Sequence, residues 1–181
     1  MSWINDEAQA RNVQGMLIIT SRLHLRKLTT DDASFVLMLV NEASFRSNIG
    51  DKGMRTLEDA RRFILEGPWT NQKKPGYGQF LIELNKNQQS IGVAGLLYRE
   101  DLGVSDLGFA LLPEYRGRGY AFEAAAAVLE YGHSILGIDK IAGLTSANNR
   151  ASIKILKKLG LKFKKIVKMS FDDPGTALYF E

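Results

Sequence analysis

Two short clusters in this 181-residue chain hold residue types and spacings that could do chemistry. The first is Arg116-Gly117-Arg118-Gly119-Tyr120-Ala121, which follows the apolar run Leu107 to Leu112 and Pro113 and leads into an alanine-rich stretch. A strand that stops at a proline, turns through Arg and Gly and opens a helix presents unpaired N–H groups at the positive end of the helix dipole. Glycines let a ligand approach that backbone closely, so the turn suits an anion, a phosphorylated ligand above all. No Gly-Lys-Ser/Thr follows it, and Gly117-Arg118-Gly119 lacks the third glycine of a dinucleotide fingerprint. A diphosphate cradle remains, with the amides from Gly117 to Ala121 facing the phosphates and Arg116 and Arg118 supplying charge. The competing reading is a plain strand-to-helix turn. The second cluster is Asn149 and Ser152, one helical turn apart and so on one face, where Asn149 is equally an N-cap.

The elements that must position these clusters follow from periodicity. Alternating Leu23 and Leu25 read as a strand, Thr29 to Asp32 as an N-cap cluster, and Phe35, Val36, Leu39 and Val40 as a helix face. Thr56-Leu57-Glu58-Asp59 opens a second helix in capping-box style, and Gly67-Pro68 ends it. Strands are expected over Gln79 to Leu84, Ile91 to Tyr98 and Asp106 to Leu111, then a helix over Tyr120 to Leu136 and a strand over Lys140 to Thr145. A helix over Asn149 to Leu159 and strands over Phe163 to Met169 and Thr176 to Phe180 complete the order. The pattern predicts one α/β domain over 17–181, a mixed sheet with helices on its faces, behind a polar tail at 1–16. Met16, ahead of Leu-Ile-Ile, is an alternative start of the functional domain.

Composition removes several function classes. With no cysteine there is no disulfide, thiolate nucleophile or Cys-based zinc site, and His24 and His133 are too scattered to suggest a metal cluster. No apolar run approaches the roughly 20 residues of a membrane span, and the polar start lacks a signal-peptide pattern, so the expectation is a cytoplasmic protein. Eight of the 24 basic residues lie between Arg150 and Lys168 with no acidic residue among them, leaving 16 basic against 20 acidic elsewhere. Helical spacing makes the lysines at 154, 157 and 158 a solvated face. Few aromatics interleave with them, so nucleic acid is not the expected partner.

Taken together, these motifs resemble the GCN5-related N-acetyltransferases, whose acyl-CoA signature Q/R-x-x-G-x-G/A is met by Arg116 to Ala121. Arg22-Leu23-His24-Leu25-Arg26, Arg55-Thr56-Leu57-Glu58-Asp59-Ala60, Ile91 to Leu96, Leu107-Gly108-Phe109 and Asn149-Arg150-Ala151-Ser152 with Leu159-Gly160-Leu161 extend the likeness to the RimJ/RimL-type branch of ribosomal-protein N-terminal acetyltransferases. The resemblance implies a mainly antiparallel sheet splayed where the pantetheine arm of acetyl-CoA enters, and no metal. It implies backbone contacts to that arm and its thioester from Leu111 and Leu112, phosphate contacts from Arg116, Gly117, Arg118, Gly119, Tyr120 and Ala121, and a CoA contact from Asn149. It also makes Ser152 a proton donor to the leaving thiolate. Many relatives carry a tyrosine acid where this chain has Leu156, so the proton donor is open between Ser152 and solvent.

Asp106 stands where this branch commonly carries an acidic residue, and is the candidate base; Glu83 and Tyr98 are its rivals, and a solvated strand end is the bland alternative. Without cysteine, direct attack by the amine in a ternary complex is the simpler route. A lysine costs roughly 3–4 kcal/mol more than an α-amine to deprotonate at neutral pH. The acceptor expected is therefore a protein or peptide N-terminus, with a small-molecule amine next and a non-catalytic acyl-CoA-binding module or a ribosome- or RNA-associated adaptor as rivals. The acceptor pocket is expected around 45–55, 68–78 and the last hairpin, with Trp69, Tyr77 and Arg55. Oligomeric state stays open, a homodimer included.

Overall fold

A computed structural model describes residues 17–70, 74–170 and 173–180. The proposed tail and the start at Met16 lie outside these residues. Eight strands form one sheet in the order β1-β2-β3-β4-β5-β6-β8-β7, with β1 Leu17–Ile19, β2 Leu23–Lys27, β3 Gly78–Leu84, β4 Ser90–Arg99, β5 Val104–Leu111, β6 Ile141–Ser146, β7 Lys162–Val167 and β8 Thr176–Phe180. Every neighbouring pair is antiparallel except β5 and β6. The helix between those two strands is the crossover that a parallel pair requires, whereas β3, β4 and β5 are joined by short connections.

Among the described residues, five α-helices cover the sheet: α1 Ala33–Asn41, α2 Ala43–Asn48, α3 Leu57–Glu66, α4 Tyr120–Ser134 and α5 Arg150–Lys158. Strand alternation sorts the core into two layers. Leu23, Leu25, Phe80, Ile82, Ala94, Leu96 and Leu107 meet Ala124, Ala125, Val128 and Leu156 of α4 and α5. Leu81, Val93 and Leu112 meet Val36, Leu39, Phe45, Ala60 and Ile64 of α1 to α3.

The expected elements are present with ends shifted by one or two residues, and α4 ends at Ser134 rather than Leu136. Two elements escaped the sequence reading. Strand β1 has only three residues and holds its place by pairing with β2. Helix α2 is a six-residue turn in a polar stretch that periodicity cannot register; it forms because the Glu42 carboxylate accepts from the amides of Ser44 and Phe45. At Thr29 to Asp32 a short 3-10 turn precedes α1, the Thr29 N–H donating to Asp32 Oδ2 at 2.8 Å. The α3 capping box is present: Thr56 Oγ1 accepts from the Asp59 N–H at 3.1 Å and Asp59 Oδ2 from the Thr56 N–H at 2.9 Å. Lys162, Lys164 and Lys165 of the lysine-rich segment lie on the exposed edge strand β7, where charge discourages pairing with another sheet.

Candidate active site

The parallel ladder between β5 and β6 covers only Ser105↔Ile141 and Asp106↔Ala142, although β5 continues to Leu111 and β6 to Ser146. The two strands splay beyond that point. The phase of β5 decides which backbone groups face the gap. Leu112 N–H donates to Ile91 O at 3.0 Å, so in the antiparallel β4/β5 register the even-numbered residues of β5 bond β4. Phe109 and Leu111 consequently turn their backbone N–H and C=O groups toward β6, into the splay. The Leu112 carbonyl in turn accepts from the Tyr115 N–H at 3.1 Å. Both backbone groups of Leu112 are therefore bonded within the protein, and Phe109, not among the expected site residues, turns its own toward the splay. Strand phase was the missing signal, and one hydrogen bond sets it.

Asp106 is the third residue of β5, not its exposed start, and is 2% exposed. Oδ2 accepts from Arg99 Nε at 2.9 Å and Nη2 at 2.7 Å; Oδ1 accepts from the Leu144 N–H at 3.1 Å. That last bond spans the splay at its apex, so a carboxylate holds the β6 amide just where the ladder stops. Burial pushes the Asp106 carboxyl up, while Arg99 and the Leu144 amide pull the other way. The bland reading of a solvated strand end is excluded.

The Arg/Gly turn is left-handed at both glycines, Gly117 at φ 72° and Gly119 at φ 83°. A Cβ at Gly117 would meet nothing within 4 Å, so that side of the turn is open. Gly119 is the N-cap of α4, and the first helical bond runs from the Glu123 N–H to its carbonyl at 3.0 Å. The amides of Tyr120, Ala121 and Phe122 therefore have no acceptor within the helix. These features fit a phosphate group held by backbone. Arg116 is placed differently from expectation: Nε and Nη2 donate to Leu111 O at 2.9 and 2.7 Å, and Nη2 also meets Glu42 Oε2 at 2.9 Å. It holds a carbonyl freed by the splay and ties the turn to α2, while Arg118 stays exposed.

Arg22 went unnoticed as a site residue and braces the turn from the β1–β2 connection. Its Nη1 donates to Arg118 O at 3.0 Å, its guanidinium lies 4.6 Å from the Tyr120 ring centroid, and a Cβ on Gly119 would come within 3.2 Å of Nη2. Glu123 fixes Arg22 in turn, accepting from its Nε at 2.6 Å and its N–H at 2.9 Å and from Thr20 Oγ1 at 2.6 Å.

At the start of α5, Asn149 Oδ1 accepts from the Ser152 N–H at 3.1 Å, which is the N-cap role. Ser152 lies one turn before Leu156, which is 1% exposed and packs so closely on Gly143 of β6 that an added Cβ there would meet Leu156 Cδ2 at 2.5 Å. The resemblance implies a phenol at this position, and this chain fills the space with hydrocarbon. The rival bases are occupied: Glu83 is held by Arg26 at 2.9 Å and lies 3.6 Å from His24, and Tyr98 packs edge-on against Tyr77 on the α4 face, opposite Asp106. The expected pocket residues are also engaged. Trp69 is buried against Phe45 and Phe63, Tyr77 bonds Ser105 at 2.7 Å, and Arg55 pairs with Asp51 at 2.6 Å. The loop 50–55, inside the expected stretch 45–55, brings Lys52 within electrostatic reach of Arg99, and the sheet face around Leu97 and Gly108 is half-buried. Among the described residues no three His, Cys, Asp or Glu side chains converge as a metal site, and no helix is long and apolar enough to cross a membrane.

A parallel pair that splays ahead of a left-handed glycine turn and a helix start defines an acyl-CoA-using transferase architecture. The acetyltransferase (GNAT) domain model matches residues 22–162, and the chain belongs to that family of N-acetyltransferases. It is 28% identical over 158 residues to the N-acetyltransferase YnaD of Bacillus subtilis, covering 84% of this chain and 88% of that one. It is 27% identical over 150 residues to the spermidine N(1)-acetyltransferase of Escherichia coli K12, covering 75% and 70%. The fold is shared with RimL, the ribosomal L7/L12 alpha-N-protein acetyltransferase, in its complex with coenzyme A, at a TM-score of 0.79 and 15% identity over 92% of this chain and 97% of that one.

Proposed function

We propose that this chain transfers the acetyl group of acetyl-CoA to the α-amine of a protein or peptide N-terminus, by direct attack in a ternary complex. The observation that carries the reading is the splay at Asp106/Ala142 opening toward the glycine turn, because it offers one continuous path from a phosphate cradle to inward-facing strand amides. The amides of Gly117 to Ala121, with Arg118, hold the diphosphate. The backbone of Phe109 and Leu111 meets the pantetheine arm, and an N–H there stabilises the oxygen that gains charge as the amine adds. The amine nitrogen bonds to the thioester carbon, the C–S bond breaks, the nitrogen gives up a proton and the thiolate gains one. Ser152, or water beside it, supplies that last proton.

Asp106 in this reading is a positioning residue and not the base: its oxygens accept three N–H donors and it is sealed from solvent. The acceptor then enters as neutral amine. At pH 8 an α-amine is about half neutral, whereas lysine is below about 1%, which is why an N-terminus suits a site without an accessible carboxylate. A small-molecule acceptor is the second reading, favoured by the likeness to spermidine acetyltransferases. An acceptor screen with acetyl-CoA, scored by free thiol and product mass, decides between them: N-acetylated peptides are expected, and turnover of spermidine without any peptide would reverse the choice. Calorimetry that finds no acetyl-CoA binding below millimolar concentration would remove both.

A further inference from the structure

Gln79 is the polar side chain that the chemistry above leaves unused. It is the second residue of β3 and is 6% exposed, yet its Oε1 is buried without a hydrogen-bond partner. Native folds rarely leave a buried amide oxygen unpaired, and such atoms concentrate where a ligand completes the bonding. The register explains how the side chain comes to lie where it does. Gln79 faces Gly95 on β4, and Gly95 faces Gly108 on β5. With two glycines in that row, the side chain lies flat across two strands until its amide rests on β5, where a Cβ at Gly108 would be 2.9 Å from Nε2. It shares this sheet face with Asp106, two residues before Gly108, and its amide lies over Gly108, the residue before Phe109, whose backbone turns into the splay.

We infer that Gln79 is the acceptor-positioning residue, and that its amide recognises the amino-acyl end of a peptide. The inference rests on the acetyl-transfer reading and narrows its acceptor. An unprotonated α-amine has N–H groups to donate to Oε1 and keeps its lone pair for attack on the thioester beside Phe109. The first carbonyl of the same peptide accepts from Nε2–H. One amide thus holds both ends of an α-amino carbonyl unit, a pairing that a polyamine, with no carbonyl, cannot complete. The terminal torsion of glutamine is soft, so Oε1 turns toward an incoming donor without backbone movement.

The test compares wild type, Gln79→Leu and Gly108→Ala, whose added methyl would displace the amide. The probes are acetyl-CoA, a tetrapeptide with a free N-terminal serine, the same peptide with that amine blocked and a lysine present, and spermidine. Both variants should lose about tenfold in kcat/KM for the free N-terminus, chiefly through KM, and bind acetyl-CoA with unchanged Kd. Gln79→Leu should also unfold at higher urea than wild type, since it removes an unpaired buried oxygen; a residue kept only for packing predicts the reverse. Unchanged kcat/KM in Gln79→Leu, a lowered urea midpoint, or wild-type turnover of spermidine without the peptide would overturn the role of Gln79. Absence of acetyl-CoA binding would instead overturn the acetyl-transfer reading, and calorimetric titration of the peptide onto wild type and Gln79→Leu still judges Gln79: equal affinities refute it, weaker binding by the variant supports it.

Discussion

Single residues around the splay take roles that their types alone do not announce. Asp106 was legible as a candidate because the resemblance puts an acidic residue at that position; its bonds to Arg99 and across the splay to Leu144 are those of a clasp. Asp106→Asn keeps an oxygen for the Leu144 N–H but sets an amide N–H2 against the Arg99 guanidinium, so it should lower the urea midpoint while kcat/KM stays within about tenfold of wild type. The limb of the pH profile that rises with deprotonation of the acceptor amine should not move. A general base would cost about 10²–10⁴-fold, and its removal would abolish that limb, so pH-dependent steady-state kinetics separates the two. Gly119 carries two constraints at once, a left-handed backbone and the nearby Arg22 guanidinium. Gly119→Ala should weaken acetyl-CoA binding by about tenfold, from roughly 1–2 kcal/mol of backbone strain, as read by calorimetry. The glycines of this turn could be read from sequence, but the Arg22 brace could not, because it joins residues far apart in the chain.

Among the elements, the connection between β1 and β2 is fastened to the first turn of α4 through Glu123, which accepts from Thr20, Ser21 and Arg22. Burial would raise the Glu123 carboxyl, but the bonds from Thr20 and Arg22 outweigh it and hold it below its ordinary range. Glu123→Ala should therefore cost about 2 kcal/mol in urea unfolding and also weaken acetyl-CoA binding, since Arg22 would lose its hold on the glycine turn. A change in stability with unaltered affinity would show that the brace and the cradle are independent. Sequence periodicity supplied α1, α3, α4 and α5 because each carries an apolar stripe or a cap with a recognisable pattern. It missed α2, whose stabilising contacts are Glu42 to its own first amides and to Arg116 on a distant turn.

Across the described residues several carboxylates, among them Glu42, Asp32, Glu83 and Glu123, each meet an arginine, and these pairs shape the response to acid. Burial acts to raise Glu42, but the Ser44 hydroxyl, the Arg116 guanidinium and the Ser44 and Phe45 amides hold it at about 2, against 4.5 for a free glutamate. Asp32 is lowered likewise, its burial outweighed by Arg26 and Thr29. A carboxyl whose pKa is depressed on folding contributes stability that is complete above its unfolded value and is lost as pH falls through the folded one. Asp106 has the opposite sign and offsets part of the loss. Urea midpoints should hold steady between pH 7 and about 5 and then fall steeply from about pH 4.5 toward about pH 2. A midpoint unchanged at about pH 3 would mean that these pairs add nothing to the fold.

By itself the sequence determined the order of the elements other than β1 and α2, the α/β class, the left-handed glycine turn and the family likeness, because these rest on local pattern: period 2, period 3.6, caps, and glycines that permit left-handed backbone. Only the tertiary structure decided where the parallel ladder stops, and that Phe109 rather than Leu112 faces the gap. It alone showed that Arg116 serves a carbonyl, that Arg99 holds Asp106 and that Gln79 lies unpaired over Gly108. Each of these depends on strand register and on pairings between distant residues, and a register differing by one residue would send every one of those groups to the opposite side.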